Sequence, residues 1–362
     1  MYINFWYPIG LSEEVTVEAP YRAKVMGLQF VAFRDAAGAA HVLSDTCVHR
    51  GGSLSKGWTQ NNCVVCPYHG WLFDGEGKCR LIPSIGAEGK VPPRAKVDAY
   101  PTQEKYGIVF AFLGDLPEAE RPPLYEIEEY GQEGWRANAV KIIELEAYYE
   151  RSMENGLDPA HNAFVHPSQG APEVVSDDFD LDPLPFGHKF FAAFESKVPG
   201  FDAEAGSGHH GPNTLMTWIQ FGGERFIHQY FFEAPVDEDS TRIFFVNTRN
   251  HMLEESVDEP FMDINMNVVN EDVGILTTLW PIRTPDSTTK ETFMPTDKSV
   301  VHYREWLKSW EDKGWRIDQH AQRKLRGDVA VAIPCPARRT EKNWVLDPVP
   351  LVAPAPASEA AE

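Results

Sequence analysis

The chain has 362 residues, 43% apolar and 24% charged, which is ample for a buried core and excludes wholesale disorder. Its 54 acidic residues against 33 basic ones give a net charge of −21. Phosphate would repel that balance, so nucleic-acid binding is excluded. No apolar run is long enough for a membrane span and the start, MYINFWYPIG, carries no basic n-region, so the expected location is cytoplasmic.

The charge is unevenly placed. Residues 1–100 hold 10 basic and 9 acidic residues, net +1, whereas 101–362 hold 23 and 45, net −22. This asymmetry predicts a first domain at 1–118 and a second at 119–350, joined through the proline- and acid-rich stretch 114–123. The last residues, 351–362, are low in complexity and expected to be disordered. Along the first domain, 21–26, 29–34, 41–43, 64–65, 71–73 and 108–113 read as short strands between Gly, Ala and Asp turns, an all-β pattern. Further on, 141–153 and 155–164 look helical. Segments 190–194, 215–221, 226–233 and 241–248 are rich in aromatic and β-branched residues and read as strands of a sizeable sheet. Residues 297–313 place Val300, Tyr303, Trp306, Leu307 and Trp310 at helical spacing. The expected fold class is α+β: a small all-β domain, then one with an antiparallel sheet flanked by helices.

Five cysteines, at 47, 63, 66, 79 and 335, are too few and too clustered for a disulfide scaffold. Four fall within 33 residues with two histidines among them, which points to metal. Cys47-Val48-His49 and Cys66-Pro67-Tyr68-His69 form C-x-H-x16-C-x-x-H. Two sulfurs and two nitrogens suit one zinc or a [2Fe–2S] cluster. The tight C-x-H half is unlike a zinc finger. Gly51, Gly52 and Gly70 leave room for backbone amides to approach sulfide, and Arg50 sets a positive charge beside an anionic centre. The C-x-x-C of Cys63 and Cys66 alone would make a redox pair or half a zinc site, but leaves Cys47 and His49 without purpose.

A second constellation lies at 155–167, NGLDPAHNAFVHP. Asn155, Asp158 and His161 are three residues apart and share one helical face. His166 is five residues beyond His161, about 140° round an ideal helix, so the helix must distort or end between them. Pro167 favours that break. Two histidines and a carboxylate make the facial triad of non-haem Fe(II) oxygenases. The carboxylate must come from elsewhere. If 261–279 is a helix, Asp272 is centred on the apolar face of Phe261, Val268, Ile275, Leu276 and Leu279, with Glu271 and Asp263 toward the polar side. A lone carboxylate there is costly unless paired or metal-bound. Glu271 is the next choice and Asp286 the third.

Both constellations, in this order and at this separation, resemble the Rieske non-haem iron oxygenases. The first matches C-x-H-R-G and C-P-x-H-G-W at Cys47, His49, Arg50, Gly51 and at Cys66, Pro67, His69, Gly70, Trp71. The second matches N-x-x-D-x-x-H-x-x-x-x-H. The resemblance implies that Cys47 and Cys66 hold one iron of a Rieske [2Fe–2S] cluster and His49 and His69 the other. It implies His161, His166 and Asp272 on a mononuclear Fe(II), the third ligand lying in a similar Glu-Asp pair in demethylase-like members. It assigns Asp158 to a bridge between an iron-bound histidine and a cluster histidine of the neighbouring subunit, and puts Asn155 near the iron. It implies O2 as co-substrate and NAD(P)H acting only through a separate reductase, with or without a ferredoxin, since this chain shows no nucleotide fingerprint. It implies a head-to-tail homo-oligomer, most often a trimer, and a small organic substrate that is hydroxylated or O- or N-demethylated. The length and the Glu-Asp pair resemble the homotrimeric monooxygenase and demethylase branch. The run Pro334–Arg339 resembles pheophorbide a oxygenase-like proteins, although the C-terminal membrane segments and C-x-x-C of those plant enzymes are not matched.

Competing readings are a ring cis-dihydroxylating dioxygenase and, from another class, a Rieske electron carrier without catalytic iron. Phe164, Met216, Trp218, Phe226 and Trp280 are candidate pocket residues, each of which reads as core before it reads as pocket, and an apolar aromatic lining would suit an aromatic or polycyclic substrate. Iron and acid-labile sulfide in the loaded protein are expected at about three to two per chain, with a Rieske-type EPR signal on reduction. In a His161→Ala, His166→Ala double variant the iron should fall to about two while the signal persists. Two irons in the parent protein after anaerobic Fe(II) loading would leave only the electron carrier.

Overall fold

The computed structural model describes residues 1–196 and 203–356, so the tail expected to be disordered lies outside the described residues from 357 onward. The chain forms two compact units, the first made of Met1–Leu124 plus the chain from Lys308 onward, the second of Tyr125–Leu307.

The first unit is built of short antiparallel strands. β1 (Phe5–Leu11) pairs with β11 (Ile108–Leu113), which pairs in turn with β10 (Thr102–Lys105). Every side chain of β11 is buried, as its sequence IVFAFL demands. A second sheet runs β2 (Tyr21–Val25), β3 (Leu28–Arg34), β4 (Ala40–Ser44) and β9 (Ala99–Tyr100). A third runs β5 (Trp58–Gln60), β6 (Cys63–Val65), β7 (Leu72–Phe73) and β8 (Cys79–Leu81). Val31, Phe33, Leu43, Val64, Phe73 and Val97 pack round Cys47 and Cys66 as one core.

Residues beyond 308 complete this unit, which corrects the expected boundaries at 118 and 350. Arg338 makes a two-pronged pair with the fully buried Asp98, Nε to Oδ1 at 2.6 Å and Nη2 to Oδ2 at 2.7 Å. Lys96 Nζ reaches Glu341 at 2.5 Å, and Tyr100 Oη donates to the Ile333 carbonyl. Trp310 sets its edge on Phe5 with ring centroids 4.7 Å apart. The expected disorder over 351–356 is likewise corrected: Leu351 bridges Ile317, and Val352 and Ala355 donate to the carbonyls of Arg316 and Asp312.

The second unit is a nine-stranded antiparallel sheet. Its strands are β12 (Arg136–Ala137), β13 (Lys141–Leu145), β14 (Glu173–Val174), β15 (Asp182–Leu184), β16 (Gly187–Glu195), β17 (Ala203–His210), β18 (Thr214–Phe221), β19 (Arg225–Pro235) and β20 (Thr241–Arg249). The order is β12-β20-β19-β18-β17-β16-β14, with β13 also beside β20 and β15 beside β16. The helix expected over 141–153 is instead strand β13 followed by α1 (Tyr149–Gly156), because β20 offers residues 141–145 a full ladder, Ile142 facing Phe244 and Ile143 facing Ile243. α1 and α3 (Asp258–Leu276) both contact the sheet residues of one face. Gly156 permits the close approach of α1, since a Cβ there would sit 2.1 Å from Leu215 Cδ2. On the other face Tyr125 meets Tyr230, and Glu129 accepts from His228 Nδ1, Tyr230 Oη and Thr248 Oγ1 at 2.9, 2.6 and 2.7 Å. Burial alone would raise the Glu129 carboxyl, but these three donors outweigh it and hold it at about 2. α4 (Lys298–Asp312) carries the chain out of this unit, where 297–313 was expected to be helical. Among the described residues no helix is long and apolar enough to cross a membrane.

The start of α3 is pinned by charge. Asp258 accepts from Arg136 Nε and Nη2 at 2.7 and 2.5 Å and from Arg249 Nη2 at 2.6 Å. Arg249 is fully buried and also donates to Asn138 Oδ1 and the Met252 carbonyl. Arg136 first, then Arg249, hold the Asp258 carboxyl at about 2. Its folded value is depressed, so its contribution is complete above the ordinary carboxylate range and is lost as pH falls from about 4 toward 2. An Asp258→Ala variant strands the Arg249 charge and is expected to cost about 3 kcal/mol in chemical denaturation, with the acid limb of the stability profile flattened over that window.

Candidate functional site

In the first unit two loops present the sequence-predicted cluster residues in the same way. Gly51 N donates to the Cys47 carbonyl and Gly70 N to the Cys66 carbonyl, both at 2.9 Å. Cys47 N then donates to Gly52 O and Cys66 N to Trp71 O. Each loop is therefore the same five-residue knuckle, closed by a glycine at φ 70°, which a β-carbon would strain. The knuckles bury both sulfurs and leave both imidazoles exposed, His49 and His69 lying 4.3 Å apart between ring centroids. Trp71 stacks on His49 at 4.6 Å and 6°, and Tyr68 leans on His69 at 4.0 Å. A Cβ on Gly52 would lie 3.0 Å from the Cys66 sulfur, so the position has to stay small. Burial pushes the Cys47 thiol up to about 12, partly countered by the His49 backbone N–H. Drawing off that proton calls for cations between the loops, and two buried thiols facing two exposed imidazoles fit a Rieske [2Fe–2S] cluster.

In the second unit, α1 ends at Gly156 and a short helix, α2 (Asn162–Val165), starts only after His161. The helical register is thus broken before His161 and again at His166, whose φ −109° and ψ 65° precede Pro167. Breaking the register turns both histidines to one point. His161 Nε2 and His166 Nε2 are 3.2 Å apart, and Asp272 Oδ1 of α3 lies 3.5 and 3.3 Å from them. Among the described residues this is the one group of three or more His, Cys, Asp or Glu donors all within 4.8 Å of one another. The triangle is small enough for a single first-row ion to touch all three corners, and its donor set suits non-haem Fe(II).

Each corner is held from behind. Asn155 Nδ2 donates to Asp272 Oδ1 at 2.9 Å. Glu271 Oε2 lies 3.1 Å from His166 Nδ1, and the same carboxylate accepts from Ser168 N and Oγ. His161 Nδ1 faces the Asp158 main-chain carbonyl at 2.5 Å. Burial alone would lower the His161 imidazole, but Asp272 and Asp158 outweigh it and the net shift is upward. Burial raises the Asp158 carboxyl, countered by the Ala160 N–H that it accepts.

Two expectations need correction. Glu271 does not point away to the polar side: its longer side chain reaches round α3 to His166 and Ser168, a role the helical wheel missed and the adjacency of Glu and Asp only hinted at. Within this chain the Asp158 carboxylate is not the partner of His161; its carbonyl is, because the break after α1 turns that carbonyl inward.

Beside the triangle a cavity of about 330 Å³ runs between α1, α3 and the sheet, its wall including Ile143, Phe190, Ile219, Phe231, Phe261 and Val268. None of the candidates Phe164, Met216, Trp218, Phe226 and Trp280 lines it. On β18 the cavity face carries Leu215, Thr217, Ile219 and Phe221, and strand alternation turns Met216 and Trp218 away, as it does Phe226 on β19. Phe164 and Trp280 are 88% and 85% exposed.

Comparison with known proteins finds a family match in each part of the chain. The Rieske [2Fe-2S] domain family matches residues 5–101, and the family described as the vanillate O-demethylase oxygenase C-terminal domain matches 175–313. The 4beta-methylsterol monooxygenase of Methylococcus capsulatus is 29% identical over 252 residues, 67% of this chain and 67% of that protein. Methylxanthine N1-demethylase NdmA of Pseudomonas putida is 27% identical over 333 residues, 85% of this chain and 89% of that one. The structure of dicamba monooxygenase bound to 3,6 dichlorosalicylic acid shares the fold, with a TM-score of 0.74 at 20% identity over 86% of this chain and 98% of that one. A cluster-binding all-β domain followed by a sheet-and-helix domain of this kind defines a terminal oxygenase component. The chain belongs to the Rieske non-haem iron oxygenases, oxidoreductases whose relatives here include monooxygenases, demethylases and dioxygenases. The family works with a Rieske cluster, a mononuclear iron and O2, draws electrons from NAD(P)H through a reductase or ferredoxin, and acts on small organic molecules.

Because a carboxylate behind a ligand histidine sets its ring and basicity, Glu271→Ala is expected to weaken iron binding by about 10- to 100-fold in anaerobic Fe(II) titration, with the Rieske signal unchanged. Equal iron affinity in the variant would remove Glu271 from the site.

Proposed function

We propose that this oxygenase hydroxylates, or O- or N-demethylates, an aromatic or polycyclic small molecule by monooxygenation, with His161, His166 and Asp272 as iron ligands and Cys47, His49, Cys66 and His69 as cluster ligands. The observation that carries this reading is the three-donor triangle set directly against an apolar cavity. When bound, the cluster supplies single electrons and the mononuclear iron supplies O2 activation.

The chain's own residues supply order and dryness. Asn155 keeps Asp272 Oδ1 aimed at the histidines. Glu271 keeps the His166 ring from turning, and the Asp158 carbonyl does the same for His161. The hydrocarbon wall excludes water from the reacting bond and holds the substrate by burial. Asp158 is the proposed electron-transfer position. Its carboxylate accepts from backbone N–H groups of the following turn, Ala160 first, and a carboxylate's two oxygens keep further lone pairs for a cluster histidine of a neighbouring subunit. A head-to-tail trimer is the proposed assembly, supported by the apolar Phe164 and Trp280 that a single chain leaves in water. Five free cysteines suit the proposed cytoplasmic setting.

Turnover with a surrogate reductase and NADH over a panel of methyl ethers, N-methyl heterocycles and polycyclic hydrocarbons is expected to yield alcohol, or formaldehyde with the demethylated product. Asp272→Ala should abolish product, a loss of about 100-fold or more, while the Rieske signal stays. Product formation surviving in that variant would overturn the assignment.

A further inference from the structure

The charge inventory of the cavity narrows what it takes, an extension that rests on the oxygenase reading above. Among the described residues lining it there is no lysine and no arginine. Its only carboxylates, Asp158 and Asp272, belong to the histidine end and are already engaged, by Ala160 N–H and by Asn155 and the histidines. Away from that end the wall is hydrocarbon, interrupted by hydroxyls such as Thr217 and by one amide pair. In that pair Gln229 Nε2 donates to Asn265 Oδ1 at 2.9 Å, and Asn265 Nδ2 donates to the Phe261 carbonyl at 2.9 Å. The pair therefore keeps the Gln229 Oε1 acceptor and the second Gln229 N–H for a guest.

A carboxylate entering this space would lose its hydration and meet no cation along the described wall, and the charge of an Fe(II) held at the histidine end would already be balanced by Asp158 and Asp272, so its burial would be costly. An uncharged guest with a single carbonyl, hydroxyl or N–H would lose little, because the amide pair replaces the water that group gives up. We infer that the cavity selects uncharged, mainly hydrocarbon substrates bearing one hydrogen-bonding group, such as a cyclic ketone or lactam, and rejects ring carboxylates of the same size.

The test uses the loaded enzyme and matched probe pairs on one skeleton: a steroid ketone with the corresponding steroid carboxylate, and a methoxynaphthalene with the methoxynaphthoate. Dissociation constants from tryptophan fluorescence at neutral pH are expected to favour the neutral member by about 100-fold or more. Gln229→Arg should bring acid binding to or above that of the neutral partner, and Asn265→Lys tests the same point from α3. Gln229→Leu should weaken the neutral ligand and leave the acid rejected. An unmodified enzyme that binds the acids as tightly as their partners would overturn charge selection and leave the oxygenase reading standing. Neutral ligands bound with the expected preference but never oxidised would support charge selection and overturn the oxygenase reading.

Discussion

A carboxylate set into the cavity-facing side of a helix must have its charge answered, and in the second unit the fold is organised round that demand. Asp272 is met by two imidazoles and an amide, all from the segment that leaves the sheet edge as α1 and breaks after Gly156. Meeting it requires α1 close to β18, which Gly156 allows, and α3 fixed in rotation and height, which the Arg249–Asp258–Arg136 hub provides at the other end of the same helix. A quartet of Arg151, Glu154, Glu291 and Arg304 ties the outer side of α1 to α4 and the segment before it, Arg304 gripping Glu154 with two bonds. The geometry at the three donors thus rests on contacts well away from them.

The first unit solves a different problem by repetition. Two copies of one knuckle each hide a sulfur and show an imidazole, so the cluster residues divide into a dry pair and a wet pair without any long-range positioning. This is why they were legible in the sequence: each loop is short, and its glycines, Gly51 and Gly70, sit at the same offset from the cysteine. His161 and His166 were legible for the opposite reason, since their spacing fails on an ideal helix and the chain does break on both sides of α2. Asp272 could be read from helical periodicity because α3 is long and regular there.

What was not legible depended on partners far off in sequence or on a single residue of register. Residues 141–145 carry a pattern that a helix or a strand can satisfy, and only β20, a hundred positions on, decides between them. The aromatic residues that looked like pocket lining, Met216 aside, were chosen by size, whereas the cavity is chosen by parity. One step along β18 separates Thr217, which lines it, from Trp218, which does not. Glu271 escaped because a helical wheel places a Cα and takes no account of how far a glutamate reaches.

The first unit is discontinuous, and that route through the fold bears on how the protein is made. Asp98 and Lys96 receive their partners, Arg338 and Glu341, only after the whole second unit has been synthesised. Folding on the ribosome therefore cannot proceed simply from front to back: the loops for the cluster emerge early, but the framework beneath them stays open until residues 338–341 have emerged. Iron–sulfur assembly would then act on a chain whose other centre already has all of its residues, and the two halves cannot be exchanged between relatives by cutting once.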